Sequence, residues 1–203
     1  SQRRGFVPPE GLTDTIMSET FVNQFKMEDR AVWAAKWKVY ASLDPSFSND
    51  GDKAVFTTFK VGGMTDGNIG IEFNTNDNIQ HAMSGDKTLT YMICEEVILL
   101  LEKYDIPLKR FAIDVTSSQR TLADVIEKEW NEKQLKKNPN HVYHSLFRVD
   151  FSGAASDTPV SPTDPRLAKD LYVNKVTELW FQFRSFAENG HIRGVWEEAI
   201  TQF

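Results

Sequence analysis

The chain is nearly without cysteine. Its one thiol, Cys94, leaves no partner for a disulfide within the chain and rules out a cysteine-built zinc site. A lone thiol in an apolar helical stretch is the pattern of a reducing compartment. Histidine is scarce as well, with four residues, and no pair of them has metal-ligand spacing. His141 and His144 stand three apart and read as plain surface or strand residues. No Ser, His and Asp fall in a persuasive catalytic order. No run approaches the roughly 20 apolar residues of a membrane span. The arginines of "SQRRGFVPPEG" are not followed by the apolar core of a signal peptide. A GxxxxGKS/T stretch is missing, which excludes a P-loop. Positive charge is also in short supply. A net charge of −6 argues against a general electrostatic nucleic-acid binder. It is compatible with an enzyme that holds acidic side chains at a metal and touches DNA through a local basic strip.

What is plentiful is packing material: 14 Phe and 5 Trp in 203 residues, enough for one domain with a sizeable core. Residues 1–36 read as an arm or linker of short helices, and 37–203 as the folded domain. "KVYASLD" (38–44), "KAVFTTFKVGG" (53–63) and "NIGIEFN" (68–74) are predicted strands of an antiparallel meander, joined by Gly- and Asn-rich turns. The period then changes. "KTLTYMICEEVILLLEKYDIP" places Leu89, Met92, Ile93, Val97, Leu100 and Leu101 on one helical face, and Pro107 stops it. "KRFAIDV" (109–115) reads as the buried strand of a β-α-β crossover. "SSQRTLADVIEKEWNEK" is a second helix opened by serine caps, and "HVYHSLFRVDF" (141–151) a further strand. "SGAASDTPVSPTDPR" reads as a loop. The last long helix carries Val173, Val176, Leu179, Trp180, Phe183 and Phe186 inward and stops at Gly190. The order β-β-β-α-β-α-β-α describes an α/β mixed sheet, an antiparallel meander plus parallel strands, covered by helices.

Two aspartates stand in comparable places. Asp44 ends the first strand and Asp114 ends the strand after the first long helix. Asp before Pro is a common turn opener, and Asp114 could simply lead into the next helix. For either residue alone the turn reading is favoured, by roughly two to one. For both together, in this element order, a site is the better reading, because functional groups gather at strand ends beside a crossover. If the two strands are neighbours, the carboxylates meet on the order of 4–7 Å apart and repel unless a cation intervenes. Mg²⁺ or Mn²⁺, hard ions that prefer oxygen, suit such a pair. Asp150, at the end of "FRVDF", is a third candidate ligand. Asp52, in the turn after the first strand, is a candidate for outer contact with the metal. Asp124, Glu127 and Glu129 read as a solvated helix face. Among the cations, Arg120 and Lys175 are the better candidates for phosphate contact, while "KQLKK" reads as a solvated face.

The segments "LDPSFSNDGDKAVF", "FAIDVTSSQRTLADVIEKEW" and "YVNKVTELWFQFRSFAENGHIRG" together resemble the nuclease domain of the large terminase subunit of tailed bacteriophages. They occur in the family's order across most of residues 38–203. The resemblance implies a ribonuclease H-like fold and a metal-dependent endonuclease that cuts double-stranded viral DNA during genome packaging in the host-cell cytoplasm. It implies Asp44 and Asp114 as the first two ligands of Mg²⁺ or Mn²⁺. It also implies an ATPase motor domain before residue 1, with the portal and the small terminase subunit as partners. Thr116-Ser117-Ser118 stands where the family more usually has Thr-Gly. The family's third acid, in an SPDxADA-like stretch, has no counterpart here and is expected beyond Phe203, which would leave the fragment impaired. Two other readings remain: a non-catalytic DNA-binding or docking module of the same fold, and another ribonuclease H-like core such as a resolvase or transposase.

Overall fold

The computed structural model describes residues 29–45, 54–79, 88–116, 119–161 and 163–195. Of the predicted arm, only 29–36 fall among these. The chain divides into two compact units, each taken by itself below.

The first unit holds described residues 36–62 and 73–149. Its strands are β1 (Lys38–Asp44), β2 (Ala54–Gly63), β3 (Ile69–Ile79), β4 (Phe111–Asp114) and β5 (Phe147–Val149), of which the ends of β2 and β3 belong to the other unit. The strand order is β5-β4-β1-β2-β3. β2 runs antiparallel to β1, with Leu43 opposite Phe56. β4 runs parallel to β1, with Leu43 beside Ile113, and β5 runs parallel to β4. This is the predicted mixed sheet, with antiparallel strands and parallel ones. The predicted boundaries of β1 hold to the residue. β3 runs five residues past its predicted end, through "TNDNI". There polar side chains pair with one another: Thr58 Oγ1 accepts from the Asn74 amide at 2.9 Å and from the Thr75 N–H at 3.1 Å.

Alternation sorts each strand into two faces. Ala41, Leu43, Phe56, Phe111 and Ile113 are buried on one of them. Against it lie α1 (Leu89–Lys103), through Ile93, Val97 and Leu101, and α2 (Arg120–Lys137), through Leu122, Ile126 and Trp130. Both triplets have the i, i+4, i+8 spacing of one helical stripe. Each such side chain contributes about 1.5–3 kcal/mol on burial. α1 ends in a Schellman arrangement. Ile106 N–H bonds Leu101 C=O at 2.8 Å and Asp105 N–H bonds Glu102 C=O at 3.2 Å, with Asp105 at φ +53°. Aspartate tolerates that left-handed conformation, and buried Ile106 and Leu101 supply the accompanying apolar contact. Ser117 and Ser118, the predicted caps of α2, lie outside the described residues. The residue at the cap position is Gln119, whose side chain makes no capping bond.

The second unit holds described residues 29–35, 63–72, 150–161 and 163–195. The β2–β3 turn closes here, with Gly67 at φ +88° and its N–H bonded to Met64 C=O at 3.1 Å. Short β8 (Ile192–Arg193) runs parallel to β3 beside Ile71 and Glu72. The predicted loop 152–166 contains instead a hairpin, β6 (Pro159–Ser161) and β7 (Asp164–Leu167). The long final helix is two pieces, α3 (Ala168–Leu171) and α4 (Lys175–Glu188). Asn174 starts α4 by accepting the Thr177 N–H at 2.9 Å, a normal N-cap. Gly190 at φ +75° ends it, as predicted. The predicted inward face of this helix is corrected in part: Val176, Leu179, Trp180 and Phe183 are half-buried. Val173 is 73 % and Phe186 46 % exposed, whereas the buried residues of α4 are Glu178 and Ala187.

Candidate metal centre

Asp44 and Asp114 follow directly from the register of β1 and β4. The last paired residues are Leu43 and Ile113, so the two aspartates are the next step on adjacent parallel strands. Their backbones are therefore about 4.8 Å apart, the spacing of neighbouring strands. Leu43 and Ile113 turn into the core, 2 % and 1 % exposed. Alternation therefore turns both aspartates to the other face, away from α1 and α2. Asp44 is exposed and Asp114 half-buried. Both stand at the carboxyl ends of their strands, where open α/β sheets collect ligands.

The local sequence fixes Asp114. Its Oδ1 accepts the Thr116 N–H at 2.8 Å and the Thr116 hydroxyl at 2.6 Å. Both bonds fall on one oxygen, and Oδ2 has no hydrogen-bond partner among the described residues. The turn thus orients the carboxylate and leaves one oxygen for another ligand. Thr116 occupies the first position of the Thr-Ser-Ser departure and performs this task with its side chain.

Gln119, which the sequence reading passed over, joins the two strand ends. Its Nε2 donates to Pro45 C=O at 3.3 Å, directly after Asp44. Its Oε1 is buried with no hydrogen-bond partner among the described residues. A buried acceptor without a donor is costly in an ordinary core. The signal for it in the sequence was weak: a glutamine between two serines and an arginine.

The other candidates sit differently. Arg120, exposed, opens α2 next to Gln119. Asp52 lies outside the described residues. Asp150 directly follows β5. Its Oδ1 accepts the Ser152 N–H at 3.0 Å and hydroxyl at 2.6 Å, the same turn that holds Asp114. Lys175 donates to Glu178 at 3.1 Å. Glu178 is also the acceptor for Ser156 N–H at 2.7 Å, Ser156 hydroxyl at 2.6 Å and Gln182 at 3.2 Å. Burial pushes its pKa up, but the bonds from Ser156 and Lys175 outweigh burial and hold it below the usual carboxylate range. The acid of "NKVTELW" is thus an internal anchor of α4, and Asn174 is its cap.

The solvated face predicted for Asp124 and Glu127 is partly corrected. Asp124 is exposed, but Glu127 accepts from the Leu146 N–H at 3.1 Å and, with Asp124, from Arg148. His141 and His144 are likewise not plain surface groups. Their rings lie 5.4 and 6.2 Å from that of Trp130. Buried Asn131 binds this segment: its amide donates to His144 C=O at 2.8 Å, and its Oδ1 accepts the His144 N–H at 2.9 Å. Residues 141–146 are therefore committed to α2, and the predicted strand 141–151 shrinks to 147–149.

Two carboxylates side by side offer the hard oxygen donors that Mg²⁺ and Mn²⁺ require. The unpartnered Asp114 Oδ2 fits such an ion. Among the described residues no group of three or more acids or histidines gathers at one point. No helix among them is long and apolar enough to cross a membrane. No protein family and no curated protein matches the sequence. Among solved structures, the fold is similar to that of a human cytomegalovirus terminase nuclease domain, soaked with Mn and with inhibitor bound, at 13 % identity and a TM-score of 0.42, over 87 % of this chain and 75 % of that one.

Proposed function

We propose that this chain is a metal-dependent endonuclease that cuts double-stranded viral DNA during genome packaging, with Asp44 and Asp114 as the first two ligands of Mg²⁺ or Mn²⁺. The observation that supports the reading is the register of β1 and β4, whose last paired residues, Leu43 and Ile113, directly precede Asp44 and Asp114 on parallel strands. Side by side they repel unless a cation lies between them. When bound, the ion supplies Lewis-acid stabilisation of the charge that grows on the phosphate and makes water a better nucleophile at neutral pH. Thr116 aims Asp114 by donating twice to one of its oxygens. Gln119 ties the loop after Asp114 to the backbone after Asp44. On the same reading an ATPase motor domain, the portal and the small terminase subunit are the partners, and the host-cell cytoplasm is the place of action.

The test is nicking of supercoiled plasmid with Mn²⁺ or Mg²⁺, read beside the melting temperature with and without metal. Wild type should gain stability from metal, since binding to the folded state alone stabilises it. Asp44→Asn and Asp114→Asn should each lose that gain and any nicking. Metal-independent melting of the wild type, together with no cutting, would replace the nuclease reading by a docking module of the same fold.

A further inference from the structure

Most described cations in this acidic chain are neutralised where they stand. Lys103, Lys133, Lys137, Arg148 and Arg193 each lie against a carboxylate. Lys38, Lys109 and Arg110 do not. They line one pocket with Tyr40, and none of the three pairs with a carboxylate among the described residues. Arg110 gives its guanidinium to neutral acceptors, Val39 C=O at 2.8 Å and Asp105 C=O at 3.2 Å. Carbonyls fix its position and leave its charge uncancelled. The guanidinium carbon lies 6.0 Å from the centre of the Tyr40 ring, so it faces the same side of the sheet as Tyr40.

Position gives the pocket its meaning. Lys38, Tyr40, Ser42 and Asp44 share one face of β1 by alternation. Lys38, Tyr40 and Asp44 are all exposed on it, as is Phe147 of β5. The cations stand at the start of β1 and β4, and the carboxylate pair at their ends. Six residues of strand separate Lys38 from Asp44, about 20 Å at roughly 3.3 Å per residue. Base pairs of a DNA duplex rise about 3.4 Å each along its axis, so this distance is about six base pairs.

We infer that the Lys38–Lys109–Arg110 pocket, walled by Tyr40, binds backbone phosphates of a nucleic-acid duplex laid along this face, about six base pairs along its axis from the phosphate at Asp44 and Asp114. The inference rests on the nuclease reading. The pocket opposes the charge of the acidic pair and holds the duplex against it.

The experiment is fluorescence anisotropy of the full chain with a labelled DNA duplex several helical turns long, over a series of NaCl concentrations. The variant is Lys38→Glu/Lys109→Glu, which spares Arg110 and its two backbone bonds. The control is Lys128→Glu/Lys136→Glu, two exposed cations of α2 with the same change in charge. The slope of log K against log salt should fall by about 2 in the pocket variant, one for each phosphate contact removed. The control should keep the wild-type slope, and both variants should melt like the wild type. Equal losses in both would show that net charge alone acts and overturn the pocket. If the wild type nicks plasmid with Mn²⁺ and the pocket variant binds and cuts as well, the pocket is overturned and the nuclease reading stands. If the wild type neither binds nor cuts DNA, both fall together.

Discussion

Asn131→Ala is the perturbation whose cost the structure lets us work out. Asn131 is 0 % exposed, two thirds of the way along α2. Its Nδ2 faces two carbonyls, Glu127 at 2.7 Å and His144 at 2.8 Å. Its Oδ1 faces the His144 N–H at 2.9 Å. Only one orientation of the amide satisfies all three. The same Oδ1 lies 2.9 Å from His141 Nε2, so that nitrogen must carry a proton and donate. Truncation to alanine leaves the His144 N–H, the His144 C=O and the His141 Nε2–H without this partner. Glu127 C=O keeps its place in the helix ladder and loses less. Each unsatisfied buried group costs about 1–3 kcal/mol, so the sum is about 3–5 kcal/mol once water reaches some of them. At about 2–4 °C per kcal/mol for a chain of this size, the melting temperature should fall on the order of 10 °C. The loss should be local first. Residues 138–146 lead into β5, which pairs with Asp114 through Val149, so amide exchange at His144 should accelerate before that of the α1 core. Thermal unfolding followed by circular dichroism, with hydrogen exchange, measures both. A drop below about 2 °C would refute the assignment of Asn131 as the fastening of this loop to α2.

Thr116→Val should weaken Mn²⁺ binding on the order of 10–100-fold, because a hydroxyl that orients a ligand is lost. Thr116→Ser should restore most of it, and calorimetric titration reads both. Glu178 has a lowered pKa in the folded state, so its contribution to stability is present above the ordinary carboxylate pKa and is lost as pH falls through the folded value. Glu178→Gln should therefore flatten the loss of melting temperature below about pH 4.3, and an unchanged acid limb would count against its anchoring role. Cys94 is buried, and burial followed by Glu129 and Glu95 pushes its thiol up to about 12. Iodoacetamide at pH 8 should leave it unmodified in the native chain and alkylate it in denaturant, by mass spectrometry.

The sequence by itself determined the elements whose period is strong. β1, β2, α1 and α2 follow from alternation or from an apolar stripe, and the end of α1 follows from Pro107 and the chain reversal before it. A buried apolar face declares itself because every residue on it must be apolar, whichever surface covers it. The two acids at strand ends were visible only as a pair, since either one alone reads as a turn residue. Only the tertiary structure decided which strands are neighbours, and with that the in-register placement of Asp44 and Asp114. It also decided the fates of polar residues whose partners are distant in the chain. Glu178 is buried against Ser156, 22 residues away, and no local pattern separates such a glutamate from a solvated one. Phe186 and Val173 are exposed, and the apolar pattern there misled because hydrophobicity names a face without naming its partner. Asn131 stopped residues 141–146 from joining the sheet, because a buried amide that binds both backbone groups of His144 outcompetes strand pairing. Periodicity reports what a segment can bury, and long-range hydrogen bonds select which of those possibilities the chain adopts.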